Sequence, residues 1–262
     1  MDTLENSLAA RPRHVSPAEW ETRVDLAACY RLIRHFGWDD LVLTHNSARV
    51  PGRSDQFLIN PMGLMFDEIT ASNLIKIDLE GNIVEETEYQ PNRAGFVIHS
   101  AIYMGRADVE CVIHTHTEAD IAVGALEEGL LPLSQWAMRF YNRLGYHDYE
   151  GVSLEIDERE RLQQSLGNHP VLVLRNHGLL TTGRNVAEAF SLTYHFERSA
   201  GAQLKIQAAV AAGGKIVMPP PETCESQAQL FANSAHEPRL QGQREWPALL
   251  RMLDRIDPGY RS

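Results

Sequence analysis

The chain has 262 residues, 44% hydrophobic and 23% charged, which is ample for a globular protein with a sizeable core. Its net charge of -11 argues against the clustered Lys and Arg needed to neutralise phosphate, so no nucleic-acid partner is expected. No apolar run approaches a membrane span, the opening lacks the apolar stretch of a secretory leader, and three widely spaced cysteines suggest no disulfide framework; the expected address is cytoplasmic, without a membrane partner.

The first 15 residues are polar and unpatterned and read as a flexible arm. "SPAEW" then opens a helix, with Ser16 as cap, Pro17 at the first helical position and Glu19 completing a capping box; Gly37 fits its stop. Strand-like runs follow in "DLVLTHNSARV", "QFLINP" and "LIKIDLEGNIVE", the last containing a Gly-Asn turn. "PNRAGFVIHSAIYMG" reads as a helix opened after Pro91 and ended near Gly105. Next come a strand through "VECVIHTHT", a short helix through "EADIAVGAL", and a loop-rich, aromatic region, "LPLSQWAMRFYNRLGYHDYEG". A charged helix, "DERERLQQSLG", precedes an apolar strand, "PVLVLRNHG", and a long helix runs from Asn185 to about Gly213. From Lys215 the chain turns proline-rich and polar and is expected to wrap the domain or a neighbouring subunit, with a last helix near "WPALLRMLDRI". Strands and helices intermix throughout residues 16–214, which predicts one layered α/β domain.

In "CVIHTHTEAD" the spacing of two puts His114 and His116 on the same side of an extended strand, where their imidazoles can grip one cation. A third ligand must come from elsewhere, and "VLVLRNHGLLTTG" offers His177 at a strand end, with Gly178 allowing a sharp turn. Three imidazoles plus solvent suit an open zinc site. The alternative is ordinary: buried histidines are commonly satisfied by hydrogen bonds, and this chain has 11 histidines. Glu118 and Asp120 are read as favouring a helix N-terminus, not as ligands.

The segments "SARV", "INPMGL", "FVIHSAIY", "IHTHT" and "RNHGLLTTG", in this order from about Leu41 to Gln207, resemble the class II aldolase/adducin family. The resemblance implies a three-layer α/β/α sandwich around a large, mixed, mostly antiparallel sheet. It also implies a homotetramer, and a divalent metal on His114, His116 and His177: most often zinc, with manganese or iron as alternatives. His99 corresponds to a histidine that lies beside the site without binding metal. In the family's sugar-phosphate aldolases a glutamate completes the metal site and moves protons, while Ser and Asn side chains hold phosphate. Here the glutamate corresponds to Gly95, its preceding serines to Arg93 and Ala94, the phosphate-loop Ser-Gly to Met62-Gly63, and an early Asn to His45. An interfacial tyrosine falls near Trp136.

These changes remove phosphate donors, so a non-phosphorylated substrate is expected. Gly63 keeps its place in the substrate loop. Arg93 is either a carboxylate-binding group or a solvated arginine, and His45 either a catalytic group or a structural histidine at a strand end. The expected activity is metal-assisted aldol-type cleavage or decarboxylation of a small oxo- or hydroxy-carboxylate. The alternative is a non-catalytic, adducin-like binding and oligomerisation protein, since "THNSAR", "INPMGL" and "GFVIHSAIY" resemble the adducin head most closely; actin binding is not implied.

Overall fold

The computed structural model describes residues 11–151, 157–232 and 242–262. Residues 1–10 of the expected arm lie outside them, as do 152–156 and 233–241. Seven strands form one sheet: β1 (His45–Arg49), β2 (Gln56–Ile59), β3 (Ile75–Asp78), β4 (Cys111–Thr115), β5 (Leu144–His147), β6 (Val171–Leu174) and β7 (Gly178–Gly183). Their order is β3-β2-β1-β4-β7-β6-β5, antiparallel except for the parallel β5·β6 edge pair.

Side-chain alternation divides the sheet between two helical layers. Ala48, Leu58, Cys111 and Ile113 point to one face and pack with α1 (Pro17–Phe36) and the long helix α6 (Val186–Ala211). Phe57, Ile59, Val112, Leu172 and Leu180 point to the other and pack with α2 (Arg93–Gly105) and α5 (Glu158–Leu166). Short helices α3 (Glu118–Gly124) and α4 (Gln135–Met138) lie near α6, whose Phe196 and Ala200 join Val123, Val171 and Leu179 in a third cluster. The α/β/α sandwich around a mixed sheet is thus the observed architecture.

Several expected elements shorten for local reasons. In α1 Ser16 accepts from the Glu19 N–H and Gly37 closes the helix at φ +71°. Asn185 caps α6, but Glu188 turns back to the Arg184 N–H. "VLVLRNHG" does not end in open loop: it is β6 of a hairpin whose return strand, "GLLTTG", had no distinct signal beside the first. The aromatic region holds α4 and β5, and the proline-rich tail holds α7 (Pro221–Ala232) and α8 (Trp246–Ile256). Trp246, Leu253 and Tyr260 are buried in the α1 core cluster. Among the described residues, no helix is long and apolar enough to cross a membrane.

Candidate metal centre

Three neighbouring segments deliver three imidazoles to one point. His114 stands on β4, which ends at Thr115, so His116 is the first residue beyond the strand and not inside it. His177 occupies the β6–β7 turn, which lies alongside because β7 pairs with β4 as Thr115↔Leu179 and His114↔Leu180. The left-handed residue of that turn is Asn176 at φ +59°, not Gly178 as the sequence suggested. Gly178 is needed for a different reason: a Cβ there would stand 2.2 Å from the Thr115 carbonyl oxygen.

The ring centroids of the three histidines are 4.6–4.9 Å apart, and one nitrogen of each lies within 4.8 Å of the others. His114 is completely buried; His116 and His177 are partly exposed. His114 Nδ1 lies 2.8 Å from the Leu179 carbonyl oxygen and His116 Nδ1 lies 3.0 Å from Asp40 Oδ2. Both partners can only accept, so both Nδ1 atoms carry a proton and both rings turn Nε2 toward the shared space. These two Nε2 atoms are 2.8 Å apart. A divalent ion bound between them would take both nitrogens as ligands.

Burial, reinforced by the neighbouring histidines, holds His114 well below its ordinary pKa, and burial lowers His177 to about 4. Both rings are therefore neutral near pH 7, the form that binds metal. Three imidazole nitrogens, two oriented by oxygen acceptors, fit an open divalent site. Among the described residues no Cys, Asp or Glu joins the triad.

The structure brings His45 and His99 to this centre. β1 pairs with β4 in a register that sets His45 opposite His114, with ring centroids 4.9 Å apart. His45 Nδ1 is 2.9 Å from His99 Nε2, His99 Nδ1 is 2.5 Å from Ser47 Oγ, and Ser47 Oγ is 2.8 Å from the Tyr103 hydroxyl. All four residues are buried. This chain fixes the His45 ring and leaves Nε2, on its opposite side, without a hydrogen-bond partner among the described residues. His99 thus acts on His45 and not on a member of the triad. Desolvation holds both His45 and His99 well below the ordinary histidine pKa.

Gly95 explains why His45 fits. A Cβ at position 95 would lie 2.8 Å from His45 Cγ and 2.9 Å from Cδ2. The imidazole fills the space into which a side chain on that turn of α2 would project. The two departures noted in the sequence, a glycine for glutamate and a histidine for asparagine, are one steric event.

The loop holding Gly63 docks on the segment that leads into α2 and Arg93. The Met62 N–H donates to the Gln90 carbonyl and Pro61 bridges Pro91, which docks the 61–63 loop on the entry to α2. Gly63 sits at φ +89° with open space where a Cβ would be, and Met62 is exposed. Arg93 is exposed at the start of α2 with its guanidinium 5.8 Å from the Phe96 ring centre; among the described residues no hydrogen bond or ion pair joins it to the histidines.

Four contributors escaped the sequence reading. Asp40 lies in a loop 76 residues before its partner, and the Leu179 carbonyl carries no sequence signal. Ser47 was accessible in principle, because it shares the His45 face of β1. Tyr149, half-exposed with its ring 6.1 Å from that of His177, lies in the segment read as a loop-rich, aromatic region.

The chain belongs to the class II aldolase and adducin family: the Class II Aldolase and Adducin N-terminal domain matches residues 24–204. A Pseudomonas aeruginosa protein, provisionally named as a class 2 aldolase, is 49% identical over 95% of each chain. Alpha-adducin of Rattus norvegicus is 39% identical over 92% of this chain, which spans 34% of the adducin. The crystal structure of an aldolase II superfamily protein from Pseudomonas syringae superposes with a TM-score of 0.88 at 47% identity, covering 95% of this chain and 98% of that one. At family level these findings support a metal-dependent lyase.

Proposed function

We propose that His114, His116 and His177 bind one divalent ion, zinc before manganese or iron, and that the protein cleaves or decarboxylates a non-phosphorylated oxo- or hydroxy-carboxylate. The observation that carries the metal reading is the convergence of three imidazoles with nitrogens within 4.8 Å of one another, two of them turned inward by an oxygen acceptor on the ring's other nitrogen. A divalent ion there supplies Lewis-acid polarisation of a carbonyl. Asp40 and the Leu179 carbonyl orient two ligands, while His45 presents Nε2 beside them as the candidate proton-handling group.

Substrate class follows from the neighbouring edge. Met62, Gly63, Ala94 and Gly95 offer no side-chain donor for a phosphate, and Arg93 places a cation at the start of α2. A guanidinium pairs with a carboxylate in two parallel hydrogen bonds. The functional unit in this reading is residues 16–214 acting as a cytoplasmic homotetramer, with 215–262 packed on it or on a neighbour.

The second reading is a binding and oligomerisation module, favoured by the identity to alpha-adducin over most of this chain. Elemental analysis of protein purified without added metal or a histidine tag separates the two. About one metal per chain, absent from a folded His114→Ala/His116→Ala variant, is expected, followed by metal-dependent turnover of 2-oxo and hydroxy acids. A wild-type protein that holds no metal after reconstitution overturns the lyase reading.

A further inference from the structure

β4 has a second face at its metal end. Where His114 points toward α2, Thr115 points toward α6 and donates its hydroxyl to Asp120 Oδ2 at 2.8 Å. Two residues on, the Thr117 hydroxyl lies 3.0 Å from both Glu197 oxygens and receives the Asp120 N–H at 3.1 Å as the cap of α3. His116 is therefore flanked on each side by a threonine tied to a carboxyl group. Asp120 is completely buried and Glu197 is 7% exposed. The two carboxyls meet at Thr117, close enough for the charge of Asp120 to act on Glu197, and among the described residues no Lys, Arg or His forms an ion pair with either.

Two adjacent carboxylates cannot both stay charged in such a place. Asp120 Oδ1 is buried and finds no ordinary donor among the described residues. A proton on Glu197 gives it one: the Glu197 O–H donates to Asp120 Oδ1, while the other Glu197 oxygen still accepts from Thr117.

We propose that Asp120 and Glu197 form a carboxyl pair sharing one proton, and that this pair is a positioning element which, through Thr115 and Thr117, holds His116 in its metal-binding place. The proposal rests on the metal reading above. Burial raises both carboxyls and the Asp120 charge raises Glu197 further, so the pair retains a proton near neutral pH. Gln at position 197 would preserve the geometry, with its amide donating to Asp120 and its carbonyl accepting from Thr117.

The experiment is zinc titration against a competing chelator for the wild type, Glu197→Gln, Glu197→Leu and Thr117→Val, with an infrared spectrum of each metal-free protein near pH 7. Removing an oriented supporting partner of a metal ligand weakens binding about 10- to 100-fold. Glu197→Leu and Thr117→Val should therefore bind zinc at least ~10-fold more weakly, and Glu197→Gln within about threefold of the wild type. The wild-type spectrum should contain a protonated-carboxyl band that Glu197→Gln lacks.

Thr117→Val removes one hydroxyl and keeps the side-chain shape, so it answers the question even if Glu197→Leu does not fold. Unchanged zinc affinity in Thr117→Val, or a loss in Glu197→Gln as large as in Glu197→Leu, overturns the positioning role. Absence of the infrared band overturns the shared proton. A wild type that binds no zinc defeats the metal reading and this proposal together, whereas normal wild-type binding with unaffected variants defeats only the latter.

Discussion

The two faces of the sheet at the end of β4 hold like groups crowded together, and they resolve the crowding differently. Toward α2, imidazoles converge on a common space, with His114 Nε2 and His116 Nε2 2.8 Å apart. Toward α6, two carboxyls meet with no cation beside them among the described residues. The carboxyl pair is completed from within by a proton that any neutral solution supplies. The His114 and His116 rings commit Nδ1 to an oxygen and turn Nε2 into the shared space, where a divalent ion would complete them from outside. The difference teaches why one face is a candidate site and the other a support: a closed pair offers nothing to a ligand, and an open one does.

The largest expected effect comes from forcing the strands beneath both faces apart. Gly178→Ala puts a methyl 2.2 Å from the Thr115 carbonyl, where backbone meets backbone and no side chain can yield. A loss of about 3 kcal/mol or more is expected in chemical denaturation, together with loss of metal. A Gly178→Ala protein of wild-type stability would show that β4 and β7 are not held in this register.

An effect of comparable size sharpens the comparison through pH. Glu197 has a folded pKa of about 10, above its ordinary carboxyl value, so the folded state keeps a proton that the unfolded chain releases. The contribution of this group is fully present below its unfolded pKa and declines as pH rises toward 10. The slope is about 1.4 kcal/mol per pH unit for one proton. Glu197→Gln removes that slope. Parallel stability–pH curves for variant and wild type between pH 6 and 9 would show that no proton is held.

Much of the histidine face was legible in the sequence because strand alternation and a single turn bring its parts together. The His114/His116 spacing and the Asn-His-Gly turn needed only period-two geometry, although Asn176, not Gly178, takes the left-handed conformation. The carboxyl face was not legible. Asp120 follows the ligands closely and reads as a helix-start acid, while Glu197 lies 77 residues later in a long helix whose period permits many faces. Only the packing of α6 against α3 brings them together. The return strand β7 was missed for a related reason: "VLVL" and "GLLTTG" are both apolar, and a fully buried hairpin has no polar alternation to mark its turn. Edge strand β5 lies in an aromatic run whose pattern suits a loop equally well.

The interlock of Gly95 with His45 predicts a change confined to the histidine face. Gly95→Ala drives a methyl into the His45 ring at 2.8 Å and should cost about 1–2 kcal/mol. His45→Ala opens the same space, so the two substitutions together should recover about 1 kcal/mol relative to their sum. Additive effects in a double-mutant cycle would separate the two positions.

The smallest effect on stability belongs to Arg93, and there the distinction between support and site is sharpest. An exposed arginine whose described contact is one aromatic ring contributes little to folding, and Arg93→Gln should shift unfolding by less than about 0.5 kcal/mol. A bidentate carboxylate contact, by contrast, is a charge-assisted pair with roughly twice the strength of a neutral hydrogen bond. For a carboxylate substrate KM should therefore rise about tenfold in Arg93→Gln, with metal content unchanged and with no such rise for an uncharged carbonyl analogue. Equal KM changes for both substrates would assign Arg93 to the solvated surface and move carboxylate recognition elsewhere on the centre.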